Sequence, residues 1–100
     1  MTEIPPSFAR NESIQSFDIP IGVTSIGRDS FTGCKELKKI TIPYSVTSIG
    51  RGAFAGCESL SSISIPDTVV SLEGWVFYEC KRLKDVVIGD GVTSIGDFTF

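Results

Sequence analysis

The chain of 100 residues contains no histidine, and its cysteines number only three. Without histidine there is no imidazole to act as a general base for a serine or cysteine nucleophile, and zinc sites lose one of their usual ligands. Basic residues are also few, nine against twelve acidic ones, so the net charge of −3 gives no reason to expect nucleic acid binding. The sequence therefore predicts no enzyme, no catalytic residue, no cofactor and no metal site.

Long apolar runs are missing as well. None approaches the roughly 18 residues of a membrane span, and residues 1–20 lack the basic start and apolar core of a signal sequence. We therefore expect no membrane insertion. The segment from Gly27 to Lys35 superficially resembles a phosphate loop, but Gly33-Cys34 stands where Gly-Lys-Ser/Thr is required. Its glycines are therefore interpreted as turn residues that mark each copy of the repeat.

What the sequence does contain is a repeat of 23 residues. Phenylalanine recurs at this spacing along the whole chain, at Phe8, Phe31, Phe54, Phe77 and Phe100. Each copy is one supersecondary unit that buries its apolar face only by stacking on its neighbours. We therefore predict a repeat solenoid in a single array over residues 1–100, with partial copies at 1–19 and 89–100 and full copies at 20–42, 43–65 and 66–88.

Local patterns assign a shape to each part of the repeat. The stretch from Leu37 to Ile42 ends in alternating β-branched residues, which predicts a short strand closed by Pro43. Val46 to Ile49 predicts a second strand. The segment 51–56 is too short for a regular helix and favours a turn or a single helical turn that ends in glycine. Stacked copies would align like strands in parallel, about 4.8 Å apart.

Three motifs fall in one register and are all present between Pro43 and Ile65: Val-x-x-Ile-Gly, Ala-Phe-x-Gly-Cys and Leu-x-x-Ile-x-Ile. With them the chain resembles, over essentially its whole length, the BspA type of leucine-rich repeat, a bacterial surface-antigen family. The resemblance implies a right-handed leucine-rich-repeat stack of short parallel strands and turns, mainly β with single helical turns. Copy 66–88 departs from the pattern at Glu73, Trp75-Val76 and Glu79, and is interpreted as a specialised or end-adapted unit.

The resemblance also carries expectations about function. Similar repeats occur in surface proteins of mucosal bacteria and protists, where they are linked to adhesion and host-protein binding. This implies a non-catalytic protein-interaction module, a fragment of a surface adhesin or host-interaction protein, at the cell surface or secreted. The alternative is an intracellular scaffold or a purely structural repeat spacer, which unpaired cysteines favour.

Cys34, Cys57 and Cys80 share one column of the repeat. Side chains in one column point in parallel, which suits a disulfide poorly, so we expect buried free thiols. Asn11 occupies the same column in the first partial copy. We expect it to be buried and to cap loop backbone groups, which would silence the glycosylation sequon Asn11-Glu12-Ser13.

Charges follow the repeat too. The residue after the cysteine column alternates in charge from copy to copy, as Glu12, Lys35, Glu58 and Lys81. This alternation indicates a solvent-exposed face on which opposite charges of neighbouring copies favour the correct register. Lys38, Lys39 and Lys84 add positive charge nearby, but Ser61 and Ser62 interrupt the stripe. A heparin or membrane surface would require a continuous stripe, so the sequence disfavours both.

Two further columns have a structural interpretation. Asp67 and Asp90 stand one copy apart beside turns, and two carboxylates are few for a calcium ion that prefers six to eight oxygens. They are expected to serve the turns instead. The serines at 25, 48, 71 and 94 form a column that predicts a hydrogen-bonding ladder rather than a set of nucleophiles.

One pair of columns stands out as a contact surface. Trp75 and Tyr78 occupy positions that other copies fill with small or polar residues, namely Asp29 and Gly52 for the first column and Thr32 and Ala55 for the second. Phe98 lies one copy beyond Trp75. Exposed aromatic clusters are favoured anchors at protein interfaces, so we predict that Trp75, Tyr78 and Phe98 form a protein-binding patch.

The ends of the array generate a first testable prediction. Phe8 and Ile14 near one end, and Phe98 and Phe100 near the other, would leave apolar surface beside unpaired strand edges. We expect concentration-dependent homo-oligomers that form through the ends. Sedimentation velocity over a concentration series tests this, and a single monomer boundary up to the solubility limit would contradict it.

Overall fold

The structure of the protein is a computed structural model that describes residues 3–4 and 10–96. Short strands alternate with turns along the described ranges. The strands are β1 (Glu3–Ile4), β2 (Ser16–Asp18), β3 (Ser25–Ile26), β4 (Lys39–Thr41), β5 (Ser48–Ile49), β6 (Ser62–Ile65), β7 (Ser71–Leu72), β8 (Asp85–Ile88) and β9 (Ser94–Ile95).

The strands stack into parallel sheets, as the repeat predicts. One sheet has the order β1-β3-β5-β7-β9, while β2 pairs with β4 and β6 pairs with β8 in two smaller sheets. Paired residues differ by 23, as in Ser48 with Ser71 and Ile63 with Val86. The predicted parallel β-solenoid is therefore confirmed. No helix occurs in residues 3–4 and 10–96, and the segment 51–56 is a turn.

The turn segments 28–33, 51–56 and 74–79 also stack, through backbone hydrogen bonds between successive copies. The Phe31 N–H donates to the Ala53 carbonyl at 2.8 Å, and the Phe54 N–H donates to the Val76 carbonyl at 3.0 Å. Two residues further along the same turns, the Gly33 N–H donates to the Ala55 carbonyl at 2.8 Å. The turns therefore hold the copies together in the same way as the strands do.

This stacking requires left-handed backbone at two columns of the repeat. The first contains Asp29, Gly52 and Trp75, with φ of 59°, 66° and 67°, and the second contains Arg10, Gly33, Gly56 and Glu79, with φ of 60°, 74°, 74° and 60°. Glycine adopts this conformation freely, whereas other L residues lose roughly 1–2 kcal/mol there. The left-handed conformation thus explains the glycine of Phe-x-Gly-Cys, at Gly33 and Gly56.

The core is a set of apolar ladders between the sheets and the turns. Phe31, Phe54 and Phe77 are buried and stack with interplanar angles of 7° and centroid distances of 5.6 and 5.9 Å. The valine and isoleucine columns are buried beside them in the middle copies, which confirms the predicted core. At the last described copy the burial weakens, and Ile95 is 51% exposed.

The cysteine column is structural, as predicted. Cys34 and Cys57 are buried and Cys80 is half-buried, all as free thiols. The Cys57 thiol donates to the Phe31 carbonyl at 3.2 Å, and the Cys80 thiol donates to the Phe54 carbonyl at 3.1 Å. The Phe31 carbonyl also accepts the Cys34 N–H at 3.1 Å. Each phenylalanine carbonyl thereby links its own turn to the thiol of the next copy.

Burial makes these thiols hard to ionise. It is the main reason that the pKa of Cys34 lies above its usual value, and at Cys57 burial and the neighbouring thiols of Cys80 and Cys34 together raise the pKa strongly. At Cys80 burial raises the pKa to about 11, against a partial opposing effect of the Cys57 backbone N–H. Thiols of this kind react slowly.

Two expectations about the turns and charges are also met. The Asp90 N–H donates to the Asp67 carboxylate at 2.8 Å, so Asp67 does serve the stack of turns. In the alternating charge column, Lys81 lies 3.9 Å from the carboxylate of Glu58. Both side chains are substantially exposed, so this pair contributes little to stability.

The first partial copy differs from the sequence prediction in two respects. Ile4 pairs with Ile26, an offset of 22 rather than 23, because this register places Ile4 and not Glu3 in the core. Asn11 is half-buried rather than buried, and its carboxamide oxygen accepts the N–H and hydroxyl of Ser13 at 2.9 and 2.8 Å. The expected burial of Asn11 was therefore wrong, whereas the expected capping of a loop backbone group is found at the Ser13 N–H. Phe8 and Phe100 lie outside the described residues.

The thiol column yields a second prediction. Denatured protein should give three reactive cysteines per chain and native protein close to none at neutral pH, because the thiols are buried and protonated. Of the three, Cys80 should be alkylated first, since it is the least buried, and its rate should climb as the pH approaches 11. Iodoacetamide labelling followed by peptide mass spectrometry measures the order. Rapid labelling of all three in the native state would place the column at the surface and contradict the structure.

Candidate interaction surface

Trp75 and Tyr78 form an aromatic pair on the turn segment 74–79. Their ring centroids lie 4.7 Å apart in a T-shaped arrangement, a favourable geometry for two aromatic rings. The turn brings them together, since the Tyr78 N–H donates to the Trp75 carbonyl at 3.1 Å. The sequence-predicted residues Trp75 and Tyr78 are therefore in contact, and Phe98 lies outside the described residues.

The pair is accessible to solvent. Tyr78 is 40% exposed, and Trp75 is half-buried, whereas Val76 and Phe77 between them point into the core. The Tyr78 backbone is itself fixed, because its carbonyl accepts the Gly56 N–H at 2.7 Å. The two rings are thus held on a rigid turn and present one face outward.

Trp75 occupies an unfavourable backbone position. It lies in the left-handed column in which the preceding copy has glycine, and its φ is 67°. A β-carbon in this conformation costs roughly 1–2 kcal/mol relative to the right-handed region. Strained residues of this kind persist only where the surroundings hold them and are concentrated at functional positions.

A second apolar surface, which sequence analysis missed, lies over the small sheets. We call it the outer groove: an open groove of about 800 Å³ lined by residues of β4, β6 and β8 and by the segments that follow β2, β4 and β6. Ile21, Tyr44 and Val87 line it and are 91%, 81% and 62% exposed. The strands β4 and β6 contribute to it from two different sheets.

The signal for the outer groove was present in the sequence. Ile21 and Tyr44 share a column with Asp67 and Asp90, and Val87 shares one with the polar residues Asp18, Thr41 and Ser64. Apolar residues in otherwise polar columns are the same signal that selected Trp75. Comparison of the copies over every column, rather than at the aromatic residues of one turn, would have found them.

The described residues give no sign of metal chemistry or of a membrane span. In residues 3–4 and 10–96 no group of three or more Cys, Asp or Glu side chains is placed to hold a metal ion. Within the same ranges there is no helix with the length and apolar character that crossing a bilayer requires.

Comparison with known proteins agrees with this architecture. A family model described as a BspA type leucine rich repeat region of six copies matches residues 2–100. The chain therefore belongs to the BspA-type leucine-rich repeat family, which confirms the resemblance drawn from the motifs.

A solved structure supports the same fold. The crystal structure of a leucine rich cell surface protein from Faecalibacterium prausnitzii A2-165 superimposes with a TM-score of 0.52 at 24% sequence identity. The alignment covers 95% of this chain and 41% of that protein, so the present chain spans less than half of its neighbour's length. No curated protein matches the chain.

Strain at Trp75 gives a third prediction. At an ordinary exposed position alanine is at least as stabilising as glycine, but in left-handed backbone the order reverses. We expect Trp75→Gly to be more stable than Trp75→Ala by about 1 kcal/mol, with both close to the wild type because little core contact is lost. Urea unfolding of the three proteins measures the order. A loss of several kcal/mol in both variants would show instead that Trp75 belongs to the core.

Proposed function

We propose that this chain is a non-catalytic protein-interaction module of a cell-surface protein with a role in adhesion or host interaction. Under this proposal residues 1–100 form one repeat array, with full copies at 20–42, 43–65 and 66–88. Family membership supports the proposal, because stacked repeats offer extended surfaces for protein recognition. So does the fold shared with a protein described as a cell surface protein.

The observation that carries the proposal is the strained aromatic pair. The array places a tryptophan where its backbone conformation is costly and sets a tyrosine against it at 4.7 Å. Neither ring joins the phenylalanine ladder of the core. Large aromatic side chains on a rigid support lose little conformational entropy on binding and are the usual anchors of protein interfaces. Trp75 and Tyr78, together with Phe98, are therefore the proposed contact residues.

The outer groove is the second candidate surface for the same function. Ile21 and Tyr44 are almost fully exposed, and exposed apolar groups clustered along a groove are typical of interaction sites. Because its residues belong to other columns than the aromatic pair, the two surfaces can be altered separately. Each therefore serves as the control for the other.

The buried thiols bear on the alternative of an intracellular scaffold or spacer. Unpaired cysteines favour a reducing compartment only if they are available for oxidation. Here the thiols donate hydrogen bonds to carbonyls of the preceding copy and have raised pKa values, so they are poorly reactive. Free cysteines are thus compatible with the oxidising conditions at a cell surface, and the proposal does not conflict with them.

A bead-adhesion experiment tests the proposal and forms the fourth prediction. Fluorescent beads coated with the wild-type chain should adhere to cultured epithelial cells, and trypsin treatment of the cells should abolish adhesion if the partner is a protein. Trp75→Ala combined with Tyr78→Ala should reduce adhesion by about tenfold or more, since interface anchors contribute 2 kcal/mol or more each. The variant Ile21→Ser with Tyr44→Ser should leave adhesion unchanged.

Urea unfolding must accompany the adhesion assay, and the aromatic variant should lose less than about 1 kcal/mol of stability. Loss of adhesion only in the Ile21 and Tyr44 variant would assign binding to the outer groove instead. Full adhesion by both variants would exclude both surfaces. Wild-type beads that do not adhere would overturn the adhesion role itself.

A further inference from the structure

A second recess lies apart from both apolar surfaces, and its lining is basic. This cleft of about 550 Å³ is lined by Lys38, Ser59, Ser61, Lys81, Arg82 and Lys84. We call it the basic cleft. Of the nine Lys and Arg residues in the chain four line it, and none of its lining residues is acidic, although the whole chain carries a net charge of −3. The positive charge is therefore concentrated at one place.

The repeat geometry explains why a recess forms there. Lys38, Ser61 and Lys84 occupy one column in successive copies, and the Lys84 N–H donates to the Ser61 carbonyl at 2.9 Å. With copies about 4.8 Å apart, the backbones of Lys38 and Lys84 are separated by roughly 10 Å. The short Ser61 side chain between them leaves a gap. Ser61, one of the two serines that interrupt the positive charge in the sequence, thus lies at the floor of a cleft with cationic walls.

The groups that line the cleft are available to a ligand. The Lys81 ammonium lies 3.9 Å from the carboxylate of Glu58 and 4.0 Å from that of Glu79, and both ion pairs are weak because the side chains are exposed. Within the described part of the chain, Lys38, Arg82 and Lys84 have no carboxylate within ion-pair distance. The hydroxyls of Ser59 and Ser61 are likewise not engaged with protein acceptors in that part of the chain. The cleft thus offers three cations and two hydroxyl donors.

This donor set matches an oxyanion that carries full negative charge. Ammonium and guanidinium groups form charge-assisted hydrogen bonds to sulfate or phosphate oxygens, and hydroxyls supply further donors. No aromatic residue lines the cleft to stack on a nucleic acid base, which argues against single-stranded nucleic acid. The cations are separate side chains, and those of Lys38 and Lys84 belong to walls two copies apart. This spacing suits a polymer with sulfate groups along its length better than one enclosed ion.

We propose that the basic cleft binds the sulfate groups of an acidic polysaccharide chain. The site goes beyond the proposed protein contact, because it uses different residues and a different chemistry. Cationic contacts of this type gain affinity from the release of counterions from the polyanion, so binding should weaken steeply with salt.

The fifth prediction tests the cleft with a heparin-derived hexasaccharide as the probe. Isothermal titration of the folded chain at low and at moderate salt gives the affinity and its salt dependence. Lys38→Gln combined with Lys84→Gln should weaken binding by about tenfold and reduce the slope of affinity against salt. Both side chains are exposed, so the variant should fold normally. The matched control, Arg28→Gln with Arg51→Gln, removes two positive charges from exposed positions outside the cleft and should change the affinity by less than about twofold.

The remaining ligands separate the possible sources of charge. A hyaluronan hexasaccharide, which carries carboxylates but no sulfate, and inorganic sulfate alone should both bind much more weakly than the heparin hexasaccharide. An equal loss of affinity in the matched control would show that overall charge, and not the cleft, determines binding, and would contradict the proposed site. If single-stranded DNA binds as tightly as the heparin hexasaccharide, the ligand class would be nucleic acid and not polysaccharide. If the heparin hexasaccharide does not bind, the proposal is wrong. Heparinase treatment of target cells distinguishes this site from the aromatic pair, whose contact with protein it leaves intact.

Discussion

The structure depends on backbone hydrogen bonding between successive copies of the repeat. Strands alone would not provide it, because those of the long sheet are only two residues each. The turn segments 28–33, 51–56 and 74–79 complete the ladder, with N–H groups of one copy donating to carbonyls of the next at 2.7 to 3.0 Å. That arrangement has left-handed backbone at two columns, which explains Gly33, Gly52 and Gly56. The same alignment of turns stacks the phenylalanine rings and brings each buried or half-buried thiol of Cys57 and Cys80 to a carbonyl of the preceding copy.

Most of the fold could be predicted because each copy repeats the evidence of the others. Parallel strands, the 23-residue register and the buried columns all follow from apolar residues that recur at one spacing. The first partial copy could not be predicted in the same way, since Ile4 shifts the register by one residue to reach the core. Asn11 departs from the cysteine column in residue type, and its amide oxygen accepts hydrogen bonds locally from Ser13.

The surfaces were harder to predict, because exposure depends on the path of the chain and not on the period alone. The contact between Trp75 and Tyr78 could be expected, because both residues lie in one turn. The strain at Trp75 could not be expected, because the sequence shows that glycine is replaced at this position but does not give the sign of φ. The outer groove combines residues from three copies that are far apart in the sequence. The basic cleft depends on the small side chain of Ser61, which in the sequence is an interruption of the positively charged stripe.

The register of the stacked copies has a consequence for how such an array can vary in length. A strand pair that slipped by one residue would move the apolar side chains of the strand from the core face to the solvent face, so small slips are strongly penalised. A shift by a whole copy, by contrast, aligns each residue with the same column of the repeat. Gain or loss of 23 residues therefore leaves each interface between copies intact. Array length is a modular property of this protein, adjustable in whole units while the surfaces of individual copies diverge.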